Sequence, residues 1–213
     1  MSSMTALEMS KLLDNSTLEL PSSKKLNIVG DVNSMFLASL KKKALKLGFE
    51  VTENDLESKY PTVVDVETAE NFNATRLDFW VDVDRLHNRG KSAVAEGILM
   101  YLKSQTTLLG KHVAIIGRGH AVKGLSDGLL TENATITICH SKTKSVTDIC
   151  KNCDIVVNAS PYDTSELNCD ILVDITKNIP KGIGSLTTSI LLNRAALIST
   201  APEVFQNSLK QNK

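Results

Sequence analysis

The segment from residue 110 to residue 139 constrains the fold most, because its pattern is that of a strand, a glycine turn, a helix and a second strand. The parts are His112–Ile116, Gly117–Gly119, Ala121–Leu130 and Thr135–Cys139. Two further apolar strands, Ile155–Val157 and Ile171–Val173, and a helix at Leu186–Leu197 continue the alternation. Such alternation is typical of parallel strands joined by helices. It therefore predicts an α/β fold whose parallel sheet is covered on both faces.

The first half of the chain predicts a smaller α/β domain. Residues 1–20 have the spacing of an amphipathic helix, and apolar residues recur at helical spacing from Phe36 to Leu47. The lysines at positions 41, 42, 43 and 46 fall largely on other faces, which indicates a solvated helix surface. Short strands are predicted at Lys25–Val29, Val63–Val66 and Phe79–Val83, and a further helix at Ala93–Leu102.

These elements predict a chain of two domains. We expect an N-terminal α/β domain over residues 1–103, to which a final helix over residues 186–213 returns. We expect a C-terminal Rossmann-type domain with a dinucleotide site over residues 104–185.

The charge balance excludes several classes of partner. Lys and Arg together number 24, as do Asp and Glu, so a net charge of zero gives no electrostatic basis for binding nucleic acid or an anionic membrane. The amino terminus has no basic stretch followed by an apolar run, and no apolar run approaches about 18 residues. We therefore expect a cytoplasmic protein that binds a small molecule and neither nucleic acid nor membrane.

Four cysteines lie within one third of the chain, at positions 139, 150, 153 and 169, and Cys150 and Cys153 have the spacing of a redox or metal-binding pair. A zinc site needs a second such pair or nearby histidines, and no spacing among the four histidines suggests one. Cys150 and Cys153 instead flank the start of an apolar strand. We interpret the cysteines as buried or partly buried free thiols and predict no metal site.

The glycine turn has the chemistry of a pyrophosphate site. Glycines at a strand-to-helix turn let the backbone approach a phosphate closely, while helix N–H groups and the helix dipole face its charge. Gly117, Arg118 and Gly119 stand at that place, followed by His120. The third glycine of the usual pattern is absent, because position 122 is Val. A simple tight turn is the alternative interpretation.

The end of the second strand favours NADP over NAD. Many NAD sites place an acidic residue there to bind the adenosine ribose, but no Asp or Glu occurs between Asn133 and Thr147. Ser141 and Lys142, together with Arg118, would instead surround a ribose 2′-phosphate with donors and positive charge. His140 is a further candidate for cofactor contact. The alternative is an ordinary polar loop, and NAD stays open as a second cofactor.

Three stretches resemble successive signatures of the methylenetetrahydrofolate dehydrogenase/cyclohydrolase family. They are Gly110-Lys-His-Val-Ala-Ile-Ile-Gly-Arg-Gly119, Ala134-Thr-Ile-Thr-Ile-Cys-His-Ser-Lys-Thr143 and Gly182-Ile-Gly-Ser-Leu-Thr187. The resemblance implies two α/β domains joined by long helices, a tetrahydrofolate derivative in the cleft between them, and a homodimer. It also implies that Arg118 and Ser141 hold the NADP 2′-phosphate and that Gly182, Gly184 and Thr187 serve the cofactor.

The same resemblance shows where this chain departs from the family. Phe36 and Leu40 fall at the family's tyrosine and catalytic lysine, so two polar groups are replaced by apolar ones. Lys41 is adjacent, but it lies about 100° round the helix. Asp84 resembles an aspartate that positions the folate. The family's Gln-Leu-Pro-Leu-Pro loop has no counterpart.

Three functions are compatible with this pattern. The first is an NADP-dependent 5,10-methylenetetrahydrofolate dehydrogenase of one-carbon metabolism that has lost its cyclohydrolase activity, since leucine cannot activate water or move protons. The second is a non-catalytic relative that keeps nucleotide binding. The third is an NADP-dependent reductase with another substrate.

Overall fold

A computed structural model of the chain describes residues 3–20, 24–31, 34–65, 83–84 and 90–200. The helices of this part of the chain are α1 (Ala6–Glu19), α2 (Met35–Lys46), α3 (Ala93–Gln105), α4 (Leu125–Thr131), α5 (Val146–Cys150) and α6 (Ile183–Thr200). The strands are β1 (Lys24–Val29), β2 (Phe49–Glu53), β3 (Thr62–Val64), β4 (His112–Ile116), β5 (Thr135–Cys139), β6 (Ile155–Asn158) and β7 (Ile171–Asp174).

Contacts divide the chain into two units, residues 1–10 with 90–187 and residues 11–89 with 188–213. This division differs from the predicted one at residues 103 and 104. Helix α3 belongs to the first unit because its Ala95, Ile98 and Leu102 are buried in the core of that unit's sheet. The division falls within α1, after Ser10, and within α6, after Thr187, so both helices contribute residues to both units.

The first unit contains a four-stranded sheet of order β5-β4-β6-β7 in which every pairing is parallel. Val113 of the central strand β4 pairs with Ile136 on one side and with Ile155 on the other. Helix α4 connects β4 to β5, and α5 connects β5 to β6. The predicted parallel α/β sheet is confirmed.

Both faces of this sheet are covered, because successive residues of a strand point to opposite faces. Val113 and Ile115 face a cluster with Leu102 of α3 and Leu129 of α4. On the opposite face, Ala114, Ile116 and Val156 pack with Val146 and Cys150 of α5. A fully buried Val or Leu side chain stabilises the fold by about 1.5–3 kcal/mol, so these two layers supply much of the unit's stability.

The second unit contains a three-stranded parallel sheet of order β2-β1-β3. Helix α2 packs beside β2 and β1 and begins where the Ser34 hydroxyl accepts a hydrogen bond from the Leu37 N–H, at 3.2 Å. Leu37, Leu40 and Ala44 are its buried residues. Their spacing of three and four places one face of the helix on the sheet.

Some predicted elements lie partly outside the described residues. Of the predicted strand Phe79–Val83 only Val83 is described, and it lies in a turn. Residue 66 of the predicted strand Val63–Val66 and residues 201–213 of the predicted final helix are also outside. Within the described segments, no helix is long and apolar enough to cross a membrane.

Candidate dinucleotide site

The predicted glycine turn lies at the carboxyl ends of β4 and β6. In an open parallel sheet, ligands bind where connections from neighbouring strands diverge, and here β5 lies on one side of β4 and β6 on the other. The Gly117 N–H donates to the Cys139 carbonyl at 2.8 Å, and the Ala159 N–H donates to the Ile116 carbonyl at 2.8 Å. The segments that follow β4, β5 and β6 therefore leave the sheet side by side.

The two glycines of the turn have different roles. Gly117 has a φ of 109°, which favours glycine, and a Cβ added there would lie 2.8 Å from the Ala159 carbonyl oxygen. Gly119 has an ordinary φ of −72°, and a Cβ added there would meet nothing within 4 Å. Gly117 is therefore required by the fold of the turn, whereas Gly119 leaves open space beside the backbone.

The predicted helix Ala121–Leu130 is wrong at its start. Residues His120–Val122 form a single 3-10 turn, and α4 begins only at Leu125. The interruption lies at Gly124, whose φ of 74° cannot continue a helix and whose Cβ position would be 2.9 Å from the Lys91 Cα. Close packing of this backbone on the segment before α3 thus separates the glycine turn from α4.

The turn after β5 is held by its own residues. The His140 N–H donates to the Thr143 hydroxyl at 2.9 Å, and the Thr143 N–H donates back to the His140 carbonyl at 2.8 Å. The Lys142 N–H donates to His140 Nδ1 at 3.1 Å, so Nδ1 acts as an acceptor and the neutral tautomer that fits this contact has its hydrogen on Nε2. The side chains of Ser141 and Lys142 are left exposed at the carboxyl edge.

This edge of the sheet carries donors and positive charge. Ile116 pairs with Cys139, so Arg118 and Ser141 each stand two residues beyond a paired strand end, and both are exposed. The first acidic residue after β5 is Asp148, in α5. Guanidinium, ammonium and hydroxyl donors suit a phosphate, and no carboxylate stands at the position from which many NAD sites bind a ribose.

A buried polar network at the ends of β6 and β7 was not predicted from the sequence. Asn158 and Asp174 pair in register, and neither side chain is exposed to solvent. Asn158 Nδ2 donates to Asp174 Oδ2 at 3.1 Å, and the Thr164 hydroxyl donates to the same oxygen at 2.8 Å. The Thr176 hydroxyl and N–H donate to Asp174 Oδ1 at 2.7 and 3.0 Å.

The network keeps the Asp174 carboxylate charged. Burial by itself would raise the pKa of this carboxyl. The hydrogen bonds from Thr176, Asn158 and Thr164 together lower the pKa by more than burial raises it, so the pKa lies below its usual value. At the surface, the Lys177 ammonium is 3.0 Å from Asp163 Oδ1 and, together with hydrogen bonds from Ser165, lowers the pKa of Asp163 to about 2. A polar residue that ends a buried apolar strand at the carboxyl edge was the sequence signal for this network.

Two open cavities lie at the opposite edge of the same sheet. One, of about 370 Å³, is lined by residues that precede β6 and β7, among them Asp154 and Asp170. The other, of about 380 Å³, is lined by Leu108, Leu109 and Asn133, which precede β4 and β5. Ligands of open parallel sheets bind at the carboxyl ends, so neither cavity is at the candidate site.

Comparison with known proteins indicates the family of this chain. A model of the NAD(P)-binding domain of tetrahydrofolate dehydrogenase/cyclohydrolase matches residues 92–165. The bifunctional protein FolD of Clostridium beijerinckii is 36% identical over 118 residues, which cover 41% of this chain and 42% of that protein. FolD of Clostridium botulinum strain Okra is 32% identical over 173 residues, which cover 67% of this chain and 60% of that protein. The chain belongs to the tetrahydrofolate dehydrogenase/cyclohydrolase family.

The matched segments span less than two thirds of the length of these FolD relatives. Structural similarity covers more of the chain than sequence similarity does. The FolD enzyme of Trypanosoma brucei, whose structure was solved with NADP cofactor and inhibitor, superposes with a TM-score of 0.72 over 98% of both chains at 17% identity. This likeness confirms the predicted two-domain α/β fold.

The glycine segment before α6 has a packing role in this family member. Gly182 has a φ of 101°, and a Cβ added there would lie 2.7 Å from the Leu7 Cγ. The Thr187 hydroxyl donates to the Ile183 carbonyl of its own helix at 2.9 Å, whereas Gly184 is exposed with open space at its Cβ position. The cofactor role of Gly182, Gly184 and Thr187 stays a prediction.

At the family's tyrosine and lysine positions, Phe36 and Leu40 lie on α2. Leu40 is 0% exposed and belongs to the core of the second unit, whereas Phe36 is 38% exposed. Lys41 forms an ion pair with Glu53 of β2, on a different face of α2. Leu40 has no amine, and the amine of Lys41 lies on another face of α2. Neither residue therefore places an amine at the position of the family's lysine.

Asp84 is held by an arginine that the sequence did not indicate. Arg194 of α6 donates from Nη1 to the Val83 carbonyl at 3.2 Å, and the same nitrogen is 4.0 Å from Asp84 Oδ1. Both ionic side chains are buried, with residue exposures of 6% for Arg194 and 9% for Asp84. The carboxylate at the predicted folate-positioning place therefore has a buried cation beside it.

The cysteines are free thiols, as predicted. Cys139, Cys150 and Cys153 are buried and Cys169 is half-buried. Burial, with a further contribution from the neighbouring thiols, raises the pKa of Cys150 to about 11, so the thiol stays protonated and is a poor nucleophile. In the part of the chain that the structure describes, no three His, Cys, Asp or Glu side chains are arranged to hold a metal ion.

Proposed function

We propose that this chain is an NADP-dependent 5,10-methylenetetrahydrofolate dehydrogenase that has lost cyclohydrolase activity. The observation that carries the proposal is the Gly117 turn at the switch point of the sheet, beside the exposed Ser141–Lys142 turn. Arg118, Ser141 and Lys142 would hold the 2′-phosphate, and the space beside Gly119 and His120 would receive the pyrophosphate.

The proposed reaction suits the residues that the chain retains. Bound NADP would accept the hydride that leaves the methylene carbon of the folate, and the resulting methenyl cation is stabilised by its own nitrogens. The step needs close positioning more than a protein acid or base. Asp84, held beside Arg194, is the residue that we assign to folate positioning. We further propose a cytoplasmic homodimer on the basis of family resemblance.

Loss of the second activity follows from the apolar residue at position 40. Hydrolysis of the methenyl product must activate water and move protons, and a buried leucine has no group for either. Lys41 is paired with Glu53, which keeps its amine on another face of α2. We therefore propose that the methenyl compound is released without hydrolysis.

A spectrophotometric assay of the purified full chain tests this proposal. With methylenetetrahydrofolate and NADP, reduced cofactor and methenyl product are expected to accumulate in equal amounts, without conversion to the formyl compound. A bifunctional FolD enzyme, assayed in parallel, is the control and converts the methenyl product onward. No turnover by a folded chain that still binds NADP would favour the non-catalytic relative, or, if other substrates are reduced, a reductase of different specificity.

Cofactor preference gives a separate prediction. Arg118→Ala is expected to raise the Kd for NADP about tenfold and to change the Kd for NAD less than about twofold, because only NADP carries the phosphate that the guanidinium would bind. Both constants are measured by calorimetric titration. Lys151→Ala removes an exposed cation that pairs with Asp148 and serves as the matched control. Equal losses for NADP and NAD would contradict the assignment of Arg118.

A further inference from the structure

The buried Asp174 carboxylate fixes the orientation of the Asn158 amide. A carboxylate only accepts hydrogen bonds, so Asn158 must turn its Nδ2 toward Asp174 and its Oδ1 away from it. That oxygen then accepts from the Ser160 hydroxyl at 2.9 Å and from the Ser160 N–H at 3.2 Å. Nδ2 also donates to the Tyr162 carbonyl at 3.0 Å. One buried charge thus determines the conformation of residues 159–162.

Residues 159–162 form one wall of the glycine turn. The Ala159 carbonyl oxygen lies 2.8 Å from the Cβ position of Gly117, and the Ala159 N–H donates to the Ile116 carbonyl at 2.8 Å. Any movement of Asn158 is therefore transmitted directly to the backbone that borders the turn on the β6 side.

The strand order indicates which half of a dinucleotide this wall would face. The adenosine 2′-phosphate is assigned to the end of β5, and the pyrophosphate to the turn after β4. Because the order is β5-β4-β6-β7, a ligand that crosses the sheet in this direction brings its nicotinamide half to the end of β6, where residues 159–162 stand.

We propose that Asp174 is a positioning residue for the nicotinamide half of the dinucleotide and acts through Asn158 on the wall formed by residues 159–162. The inference rests on the proposed binding of NADP and adds a determinant that lies on β7, beyond the strands that carry the glycine turn and the phosphate donors.

The test compares NADP with adenosine 2′,5′-bisphosphate, which lacks the nicotinamide half. In Asp174→Asn an amide nitrogen replaces one carboxylate oxygen and would face the Asn158 Nδ2, while the bonds from Thr176 to the other oxygen are kept. We expect the Kd for NADP to rise about tenfold and the Kd for the bisphosphate to change less than about twofold. Both are measured by calorimetric titration of the full chain.

Two further variants distinguish an effect that Asp174 transmits through Asn158 from a general loss of hydrogen bonds around Asp174. Thr164→Val removes another bond to the same Asp174 oxygen without touching Asn158, and it is expected to leave the NADP Kd within about twofold of wild type. The exchange of the pair, Asn158→Asp with Asp174→Asn, restores a donor facing an acceptor and keeps an acceptor for Ser160, but the new carboxylate cannot donate to the Tyr162 carbonyl as Nδ2 does. It is expected to lower the NADP Kd relative to Asp174→Asn alone without returning it to the wild-type value, because the bond to the Tyr162 carbonyl stays lost.

The outcomes distinguish this inference from the proposed function. If Asp174→Asn weakens both ligands equally, or if Thr164→Val weakens NADP as much, the inference is overturned while cofactor binding stands. If the wild-type chain binds the bisphosphate as tightly as NADP, the nicotinamide half has no site and the inference is likewise overturned. If the folded wild-type chain binds neither ligand, the proposed function fails and the inference fails with it.

Discussion

Gly117→Ala is expected to reduce the free energy of unfolding by about 3 kcal/mol and to raise the Kd for NADP roughly 30-fold, equivalent to about 2 kcal/mol. The φ of 109° strains any residue with a Cβ, and the added methyl would lie 2.8 Å from the Ala159 carbonyl oxygen. This oxygen belongs to backbone that the Asn158 amide holds in place, so the turn itself must shift. Urea unfolding and calorimetric titration measure the two effects.

Gly119→Ala is the matched control for this prediction. Its backbone angles are ordinary and its Cβ position is open, so the urea midpoint should stay at the wild-type value. Its NADP Kd should nevertheless rise, because the added methyl fills the space in which a pyrophosphate would approach the backbone. Wild-type affinity for NADP in both alanine variants would show that no phosphate binds at this turn.

Arg194→Met is expected to lower the free energy of unfolding by about 3 kcal/mol, because it removes the buried guanidinium that lies beside the buried Asp84 carboxylate. Methionine keeps much of the apolar volume of the arginine stem, so the effect reports mainly on the lost guanidinium and its polar contacts, among them the bond to the Val83 carbonyl. Urea unfolding followed by circular dichroism gives the value.

A double-mutant cycle controls this second prediction. Asp84→Asn removes the carboxylate charge while preserving the shape of the side chain. The double variant is therefore expected to be more stable than Arg194→Met alone, by about 1 kcal/mol or more. If Arg194→Met unfolds within about 0.5 kcal/mol of wild type, the pair does not hold Asp84, and the assignment of Asp84 to folate positioning loses its structural support.

Local patterns predicted the central strands well. Strands β4 and β5 begin and end at the predicted residues, because both are short apolar runs next to glycine or polar residues. Strand β2 was not predicted, since it lies at the edge of its sheet and alternates weakly, with only Phe49 buried. Helix α5 is only five residues long, which is too short for a helical period to appear in the sequence.

Features that depend on contacts between distant segments could not be predicted. The start of α4 is set by Gly124 packing on Lys91, and the phosphate turn therefore lacks the continuous helix that its sequence suggests. Arg118, Ser141 and Lys142 were predicted as cofactor contacts because a motif and a family pattern mark them, and this assignment stays a prediction. Asn158, Asp174 and Arg194 carry no such motif, and their partners are known only from the strand register and from the course of α6.

The division of α1 and α6 between the two units has a consequence for how the chain acquires its structure during synthesis. The unit that contains residues 1–10 is complete only after residues 90–187 have been synthesised. The unit that contains residues 11–89 is complete only after the second part of α6 has been synthesised. A nascent chain released up to residue 103 therefore holds neither unit in full, and each depends on closing a long loop. Neither unit is expected to form stable structure until α6 has left the ribosome, so the two units do not fold one after the other during synthesis.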